Sequence, residues 1–239
     1  MFPAGIITSA LLFIAFLLLL LDTLSVPIIK TIYLFRLTAT ASSGLLDSSA
    51  SESVVFGVWG YCTSGADVSV LGVNRDTAAQ CSKRHLGYTF DSTVASALHV
   101  SGLENLISKT STAALALHPV AVCLAFIALV VSLVTLRRRD ARGTSRLPSF
   151  IVLGFSVFAA IMASIVFIVD IVLVAIVGHR VHNDSHGELT MKWGNATWLT
   201  LVAAILLWVA VAGTMTGVCC GQEWRLRRLR SVDPEQEKP

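Results

Sequence analysis

Charge is what this chain has least of. Only 14% of its 239 residues are Asp, Glu, Lys or Arg, against 54% hydrophobic, where a water-soluble domain carries about 25% charged residues. That deficit excludes a wholly water-facing surface and points to an integral membrane protein. Catalytic signatures are missing as well. There is no Walker loop, no HExxH, no nucleophile motif and no pocket-forming pair of carboxylates, so neither an enzyme nor a cofactor or metal centre is expected. No basic-aromatic interleaving suggests nucleic acid, and the net charge of +3 is small. The broken, repeated half-helices of a transporter are absent too. Cysteine is limited to five, an odd count that leaves at least one unpaired.

What the chain does have is apolar length. A membrane span needs about 20 mostly apolar residues, and four runs qualify, at 5–26, 115–136, 149–177 and 196–220. The third is long enough to tilt or project. Trp193, Trp198 and Trp224 flank the fourth as interfacial anchors, and Trp208 lies inside it. No Lys or Arg precedes the first run, which is also long for a signal peptide, so it reads as a retained span.

Orientation follows from the basic residues. The link between runs two and three holds Arg137, Arg138, Arg139, Arg142 and Arg146, and Arg225, Arg227, Arg228 and Arg230 follow run four. The link between runs three and four holds only Arg180 and Lys192. Both Arg clusters are therefore expected in the cytosol, in reach of anionic lipid, together with both termini and the tail 221–239. Residues 28–114 are then outside, and 1–239 reads as a single membrane domain.

The outside segment alternates in short β-like stretches, "IKTIYLF", "SVVFGVWGYC", "VSVLGV" and "LGYTF". Helical spacing over 92–110 predicts a helix running into the second span, and the Ser-rich "TATASSGLLDSSASES" reads as a loop between the first two strands. The expected fold is a mainly α four-transmembrane-helix bundle with a small extracellular antiparallel β-sheet. Such a sheet has too little core to hold itself together. Cys62 and Cys81 are the only cysteines on that side, and a bridge between them closes a loop of about 20 residues, worth about 3 kcal/mol in the chain-entropy picture. In "FGVWGYC", Trp59 and Tyr61 alternate onto one strand face, while Gly57 and Gly60 allow close approach of other backbone. The cluster reads as a folding device, with a binding role for Trp59 as the competing reading.

These residues carry a resemblance. A Gly-x-Trp-Gly-Tyr-Cys stretch in the first outside loop, a second Cys downstream and four spans resemble the claudin-like superfamily. More closely, "VPIIKTI", "FGVWGYC", "CSKRHLGYTF", "HPVAVCLAFI", "FIVDIVLVAIV" and "WGNATWLTLVAAIL", in that order, resemble the fungal PalI family. That family groups pH-response regulators with eisosome-associated four-span proteins. The resemblance implies a plasma-membrane accessory protein that assists a larger multi-span sensor of ambient pH, without catalysis. Related branches act in cortical membrane domains and cell fusion, so an auxiliary subunit or organiser for another cell-surface machine, such as wall synthesis, is the alternative. Members of the pH-response branch often continue into a long polar tail, whereas here only residues 221–239 follow the fourth run, which suits a short paralogue with a different partner.

Polar residues in apolar runs are functional candidates by default. Asp170 lies in "VFIVDIVLV", and Asp22 lies near the end of the first run. His118, at the start of the second run, is the one basic side chain in reach. Asp170 reads either as reaching interfacial water or accepting a hydrogen bond from Ser, Thr or Trp, or, since runs two and three are neighbours through a short link, as pairing with His118, a pair that rising outside pH would cost its attraction. Asp22 is expected to reach interfacial water or to accept a hydrogen bond from Ser, Thr or Trp. All six histidines (85, 99, 118, 179, 182, 186) fall outside or at the outer boundary, and "GHRVHNDSH" reads as a solvated loop rather than a metal tract. Cys219 and Cys220 end the fourth run beside arginines, a setting for palmitoylation, and Cys123 reads as a small buried residue. Asn183 and Asn195 head glycosylation sequons close to the membrane, Asn195 the poorer of the two.

Overall fold

Hydrocarbon leaves a backbone no partner but itself, so each long apolar run must close its hydrogen bonds as a helix. The computed structural model, which describes residues 2–43, 48–70, 73–76, 81–82, 104–141, 147–184 and 189–232, shows this four times. The helices are α1 (Phe2–Thr23), α2 (Glu104–Ala141), α3 (Leu147–Asp184) and α4 (Ala196–Val232). Their stretches fit to cross a membrane are Gly5–Thr23, Leu115–Arg137, Ser149–His179 and Ala196–Thr216. Only 28–33% of each such stretch is buried within the protein. The uncovered remainder is apolar, with Ile6, Phe158 and Ile168 all more than half exposed, as a lipid-facing surface requires. This is a multi-pass membrane protein.

The helices pack in a ring, α1 on α2, α2 on α3, α3 on α4 and α4 back on α1. Lipid tails are as apolar as leucine, so nothing hydrophobic drives the helices together; close approach does. The seam is accordingly built on alanine. Ala15, Ala125, Ala128, Ala159, Ala160, Ala163, Ala203 and Ala210 are fully buried there with Leu12, Leu19 and Leu207.

One end of the bundle carries an antiparallel sheet of β1 (Phe35–Ser43), β2 (Ser48–Phe56), β3 (Tyr61–Val70), β4 (Val73–Asp76) and β5 (Leu189–Trp193), in the order β4-β3-β2-β1-β5. Period-two alternation turns Phe35, Leu37, Val54 and Phe56 onto the helix ends, where they pack with Leu115, Val174, Val177 and Ala196. Trp193, Phe35, Phe56 and Tyr61 pair in register across four strands. The Phe35 and Phe56 rings stack at 4.7 Å, and such pairs contribute about 0.5–1.5 kcal/mol beyond area burial.

Three expectations need correction. The Ser-rich stretch is strand rather than loop wherever it is described, since β1 and β2 pair continuously from Phe35↔Phe56 to Ser43↔Ser48. A partner for every backbone group outweighs a composition that merely correlates with loops. "FGVWGYC" is not one strand. β2 stops at Phe56 and β3 starts at Tyr61, so Gly57–Gly60 is the turn between them, closed by the Gly57 amide donating to the Gly60 carbonyl at 2.9 Å. Gly60 has φ 153°, a conformation open to glycine, and Trp59 and Tyr61 therefore do not alternate along a single strand. The link between spans three and four is not all solvated loop. α3 continues through His179 and His182 to Asp184, and β5 adds the fifth strand. "LGYTF" and the 92–103 part of the predicted helix lie outside the described residues; from Glu104 onward that helix is α2.

Two glycines and one tryptophan lock the sheet to the bundle. A Cβ on Gly57 would meet the Val26 backbone at 2.5 Å, and one on Gly194 would collide with the carbonyls of Tyr33 and Leu34. Trp59 Nε1 donates to the Thr23 carbonyl at 2.5 Å, satisfying an acceptor that the end of α1 leaves open. Cys62 and Cys81 are disulfide-bonded, and the Ser82 amide donates to the Tyr61 carbonyl beside them. Gly57→Ala and Gly194→Ala are each expected to lower the stability of the detergent-solubilised protein by about 1–3 kcal/mol, through forced backbone shifts. Cys62→Ser should cost about 3 kcal/mol. Gly154→Ala, where a Cβ meets nothing within 4 Å, should leave the thermal midpoint unchanged or slightly raised.

Candidate functional site

Between the alanine seam and the apolar layer under the sheet lies a polar layer. Each helix contributes one side chain to it. On α1, Asp22 follows Leu19 of the seam; on α2, His118 stands between Leu115 of the sheet-side layer and Ala125 of the seam. On α3, Asp170 lies between Ala163 and Val174, and on α4, Thr200 lies between Ala196 and Ala203. Steps of three, four or seven residues keep each polar side chain on the buried stripe of its helix. Asp22 and Thr200 are 0% exposed, Asp170 1% and His118 3%.

The contacts close a circuit in the same order as the helices. His118 Nε2 lies 3.3 Å from Asp22 Oδ2 and 3.2 Å from Asp170 Oδ1. Thr200 Oγ1 lies 3.0 Å from Asp22 Oδ2 and 3.4 Å from Asp170 Oδ2, and 3.1 Å from the Ala196 carbonyl of its own helix. One hydroxyl proton thus faces three acceptors. Asp22 Oδ1 and both ring nitrogens of His118 make no hydrogen bond. Pro119, next in sequence, has no N–H, so the Leu115 carbonyl loses its helical donor and is left facing the imidazole.

Asp170 and His118 therefore stand together, but as two members of four rather than as a pair. Asp22 does not reach interfacial water. It is sealed by the sheet-side layer and accepts from Thr200 instead. Thr200 carried no expectation, because one hydroxyl in an apolar run has no periodic signature. Its depth could have revealed it, since it lies four residues into run four and His118 three into run two. Two smaller polar contacts sit farther along the bundle, Ser9 with Ser132 at 2.8 Å and Trp208 Nε1 donating to Ser164 at 3.1 Å.

The other candidates are dispersed. Trp59 and Tyr61 are half-buried at the sheet–bundle junction, and Trp193 and Trp198 are exposed at the boundary of the fourth span. Cys123 is not a buried packing residue; it is exposed on the outward side of α2. Asn195 accepts from the Tyr33 amide at 3.1 Å and donates to the Thr31 carbonyl at 2.9 Å, so its amide ties the chain before β1 to the start of α4. Asn183 lies on α3, and Cys219 and Cys220 lie on α4 past the stretch fit to span.

A ring of four spans capped on one side by a disulfide-braced antiparallel sheet is the claudin-like architecture of membrane proteins. Comparison with family models agrees, matching the SUR7/PalI family over residues 3–210. The chain belongs to that family. A search of curated proteins found no match.

Thr200→Val removes the one hydroxyl shared by both carboxylates. It is expected to lower stability in detergent by about 1–3 kcal/mol, the cost of stranding buried acceptors. Ser132→Ala, which breaks a single pair in the same bundle, should cost about 0.6 kcal/mol. Denaturant unfolding followed by tryptophan fluorescence checks the difference; equal costs would mean that the four-membered layer holds the spans no better than one serine pair.

Proposed function

We propose that the protein is a non-enzymatic accessory subunit of the fungal plasma membrane, with both termini in the cytosol, that assists a larger multi-span protein in ambient-pH signalling. The observation that supports action by contact is the lock between sheet and spans. With Gly57 against Val26, Gly194 against Tyr33 and Leu34, and Trp59 bonded to Thr23, the sheet has no hinge to the bundle at these points. A protein that grips the sheet therefore grips the spans as well.

The polar side chains of the spans also favour this reading over transport. Several are engaged with one another, in the four-membered layer and in the Ser9–Ser132 and Trp208–Ser164 contacts. Lipid-exposed Phe150, Phe158 and Ile168 on α3 offer apolar surface for a neighbouring span. The pH assignment rests on the resemblance to the pH-response branch, and family membership supports a membrane role of this general kind. Cys219 and Cys220, if acylated, would add lipid anchorage at the cytosolic end of α4.

Purification from native membranes in a gentle detergent, followed by mass determination of the intact assembly, tests the proposal. The expected result is a stoichiometric complex with one larger multi-span protein. Homo-oligomers alone would instead support an organiser of membrane domains.

A further inference from the structure

The four-membered layer leaves a charge question that protein side chains do not answer. Two carboxylates and one imidazole are closed off from water, and the one Lys or Arg in the four spanning stretches, Arg137, lies 19 residues beyond His118 at the other end of its helix. Burying charge without compensation is expensive. A dication balances two carboxylates completely. We propose that Asp22, His118 and Asp170, with the hydroxyl of Thr200, form a binding site for one divalent transition-metal ion of the zinc type.

The donor spacing fits. A tetrahedral ion with ligands at about 2.0–2.1 Å sets neighbouring donor atoms about 3.3–3.4 Å apart. Here Asp22 Oδ2 lies 3.3 Å from His118 Nε2 and 3.0 Å from Thr200 Oγ1, while Asp170 faces His118 with Oδ1 at 3.2 Å and Thr200 with Oδ2 at 3.4 Å, so either of its oxygens could ligate. The three His and Asp donor atoms all lie within 4.8 Å of one another.

A second observation is independent of the acidic residues being close. His118 Nε2 is buried and stands between two carboxylates at 3.2–3.3 Å, yet its geometry makes a hydrogen bond with neither. A nitrogen at ion-pair distance from two carboxylates, without hydrogen-bond geometry to either, can also serve as a ligand. Asp22 Oδ1 is likewise buried without a partner. Orphaned buried polar atoms call for an explanation, and an ion is one. The far side of the imidazole is prepared as well. The Leu115 carbonyl, freed by Pro119, faces it, and metal-bound histidines commonly present their second ring nitrogen to such a carbonyl.

The ligand set selects the ion. One nitrogen, three oxygens and no sulfur suit a borderline divalent ion in a four-coordinate site. Calcium and magnesium want six or more oxygens or several waters, more donors than these four side chains supply. With all four ligands 0–3% exposed, the ion is enclosed as the spans assemble and is structural rather than exchangeable.

The test uses the full chain, purified in mild detergent from zinc-supplemented cells and washed with EDTA to strip loosely held metal. Retained zinc is counted per chain by mass spectrometry. About one zinc per chain is expected. Asp170→Asn and His118→Gln should each lower it roughly tenfold or more, whereas His179, His182 and His186 all changed to Gln should leave it unchanged. Because the single variants could simply fold poorly, zinc-edge X-ray absorption on the unaltered protein supplies a second readout: a four-atom N/O shell with one imidazole and no sulfur. Zinc-free wild-type protein would overturn the proposal and leave a layer neutralised by protons. Retention of zinc in the single variants, its loss from the triple-histidine variant, or sulfur in the shell would overturn it equally.

Discussion

Four polar side chains, one from each span, meet in a layer that neither water nor lipid reaches. In hydrocarbon such groups find partners only in one another, so Asp22, His118, Asp170 and Thr200 fix the relative depth and rotation of four helices that apolar contacts alone would let slide. The alanine seam permits the close approach, but alanine against alanine specifies little. A carboxylate that must meet an imidazole at 3.2 Å specifies a great deal. Buried polar groups used in this way fix register and partner choice more than they add stability.

The sheet depends on that registration. Its lower face packs on Leu115, Val174, Val177 and Ala196, residues within one or two turns of the polar layer on α2, α3 and α4. Its close contacts fall on the two chain segments that leave and enter the membrane nearest the layer: Val26, just beyond Asp22, and Gly194, just before α4. β5 carries the link between α3 and α4 into the same sheet, so the end of the bundle is tied through both connections on that side. The Cys62–Cys81 bridge then ties β3 to the Cys81–Ser82 segment beside it.

Much of this was legible in the sequence for physical reasons. Spans announce themselves because twenty apolar residues have few other uses, and the two cysteines between the first and second spans have only each other. A short link and similar depth made the meeting of Asp170 and His118 one of two readings of Asp170, the other being an interfacial carboxylate. The inclusion of Asp22 and Thr200 did not follow from these, because which helices are neighbours across a four-span ring is a tertiary fact. The pairing of β1 with β2 was hidden by serine and alanine, whose side chains announce no face, and Trp59 was misplaced because a four-residue turn between β2 and β3 looks like continued alternation. β5 was missed because five residues between two long helices give too short a period to detect.

The central claim is that the polar layer, and not the alanine seam, sets the arrangement of the spans at the sheet end. Spin-label distances measured across the ring answer it most directly, with one pair of labels spanning α1 and α3 near Asp22 and Asp170 and a second pair at the opposite ends of the same helices. On introducing His118→Leu, the account predicts that the distance distribution at the sheet end broadens while that at the opposite end, near the Ser9–Ser132 pair, stays narrow. Narrow distributions at both ends would contradict it, for they would show the apolar seam holding the register unaided.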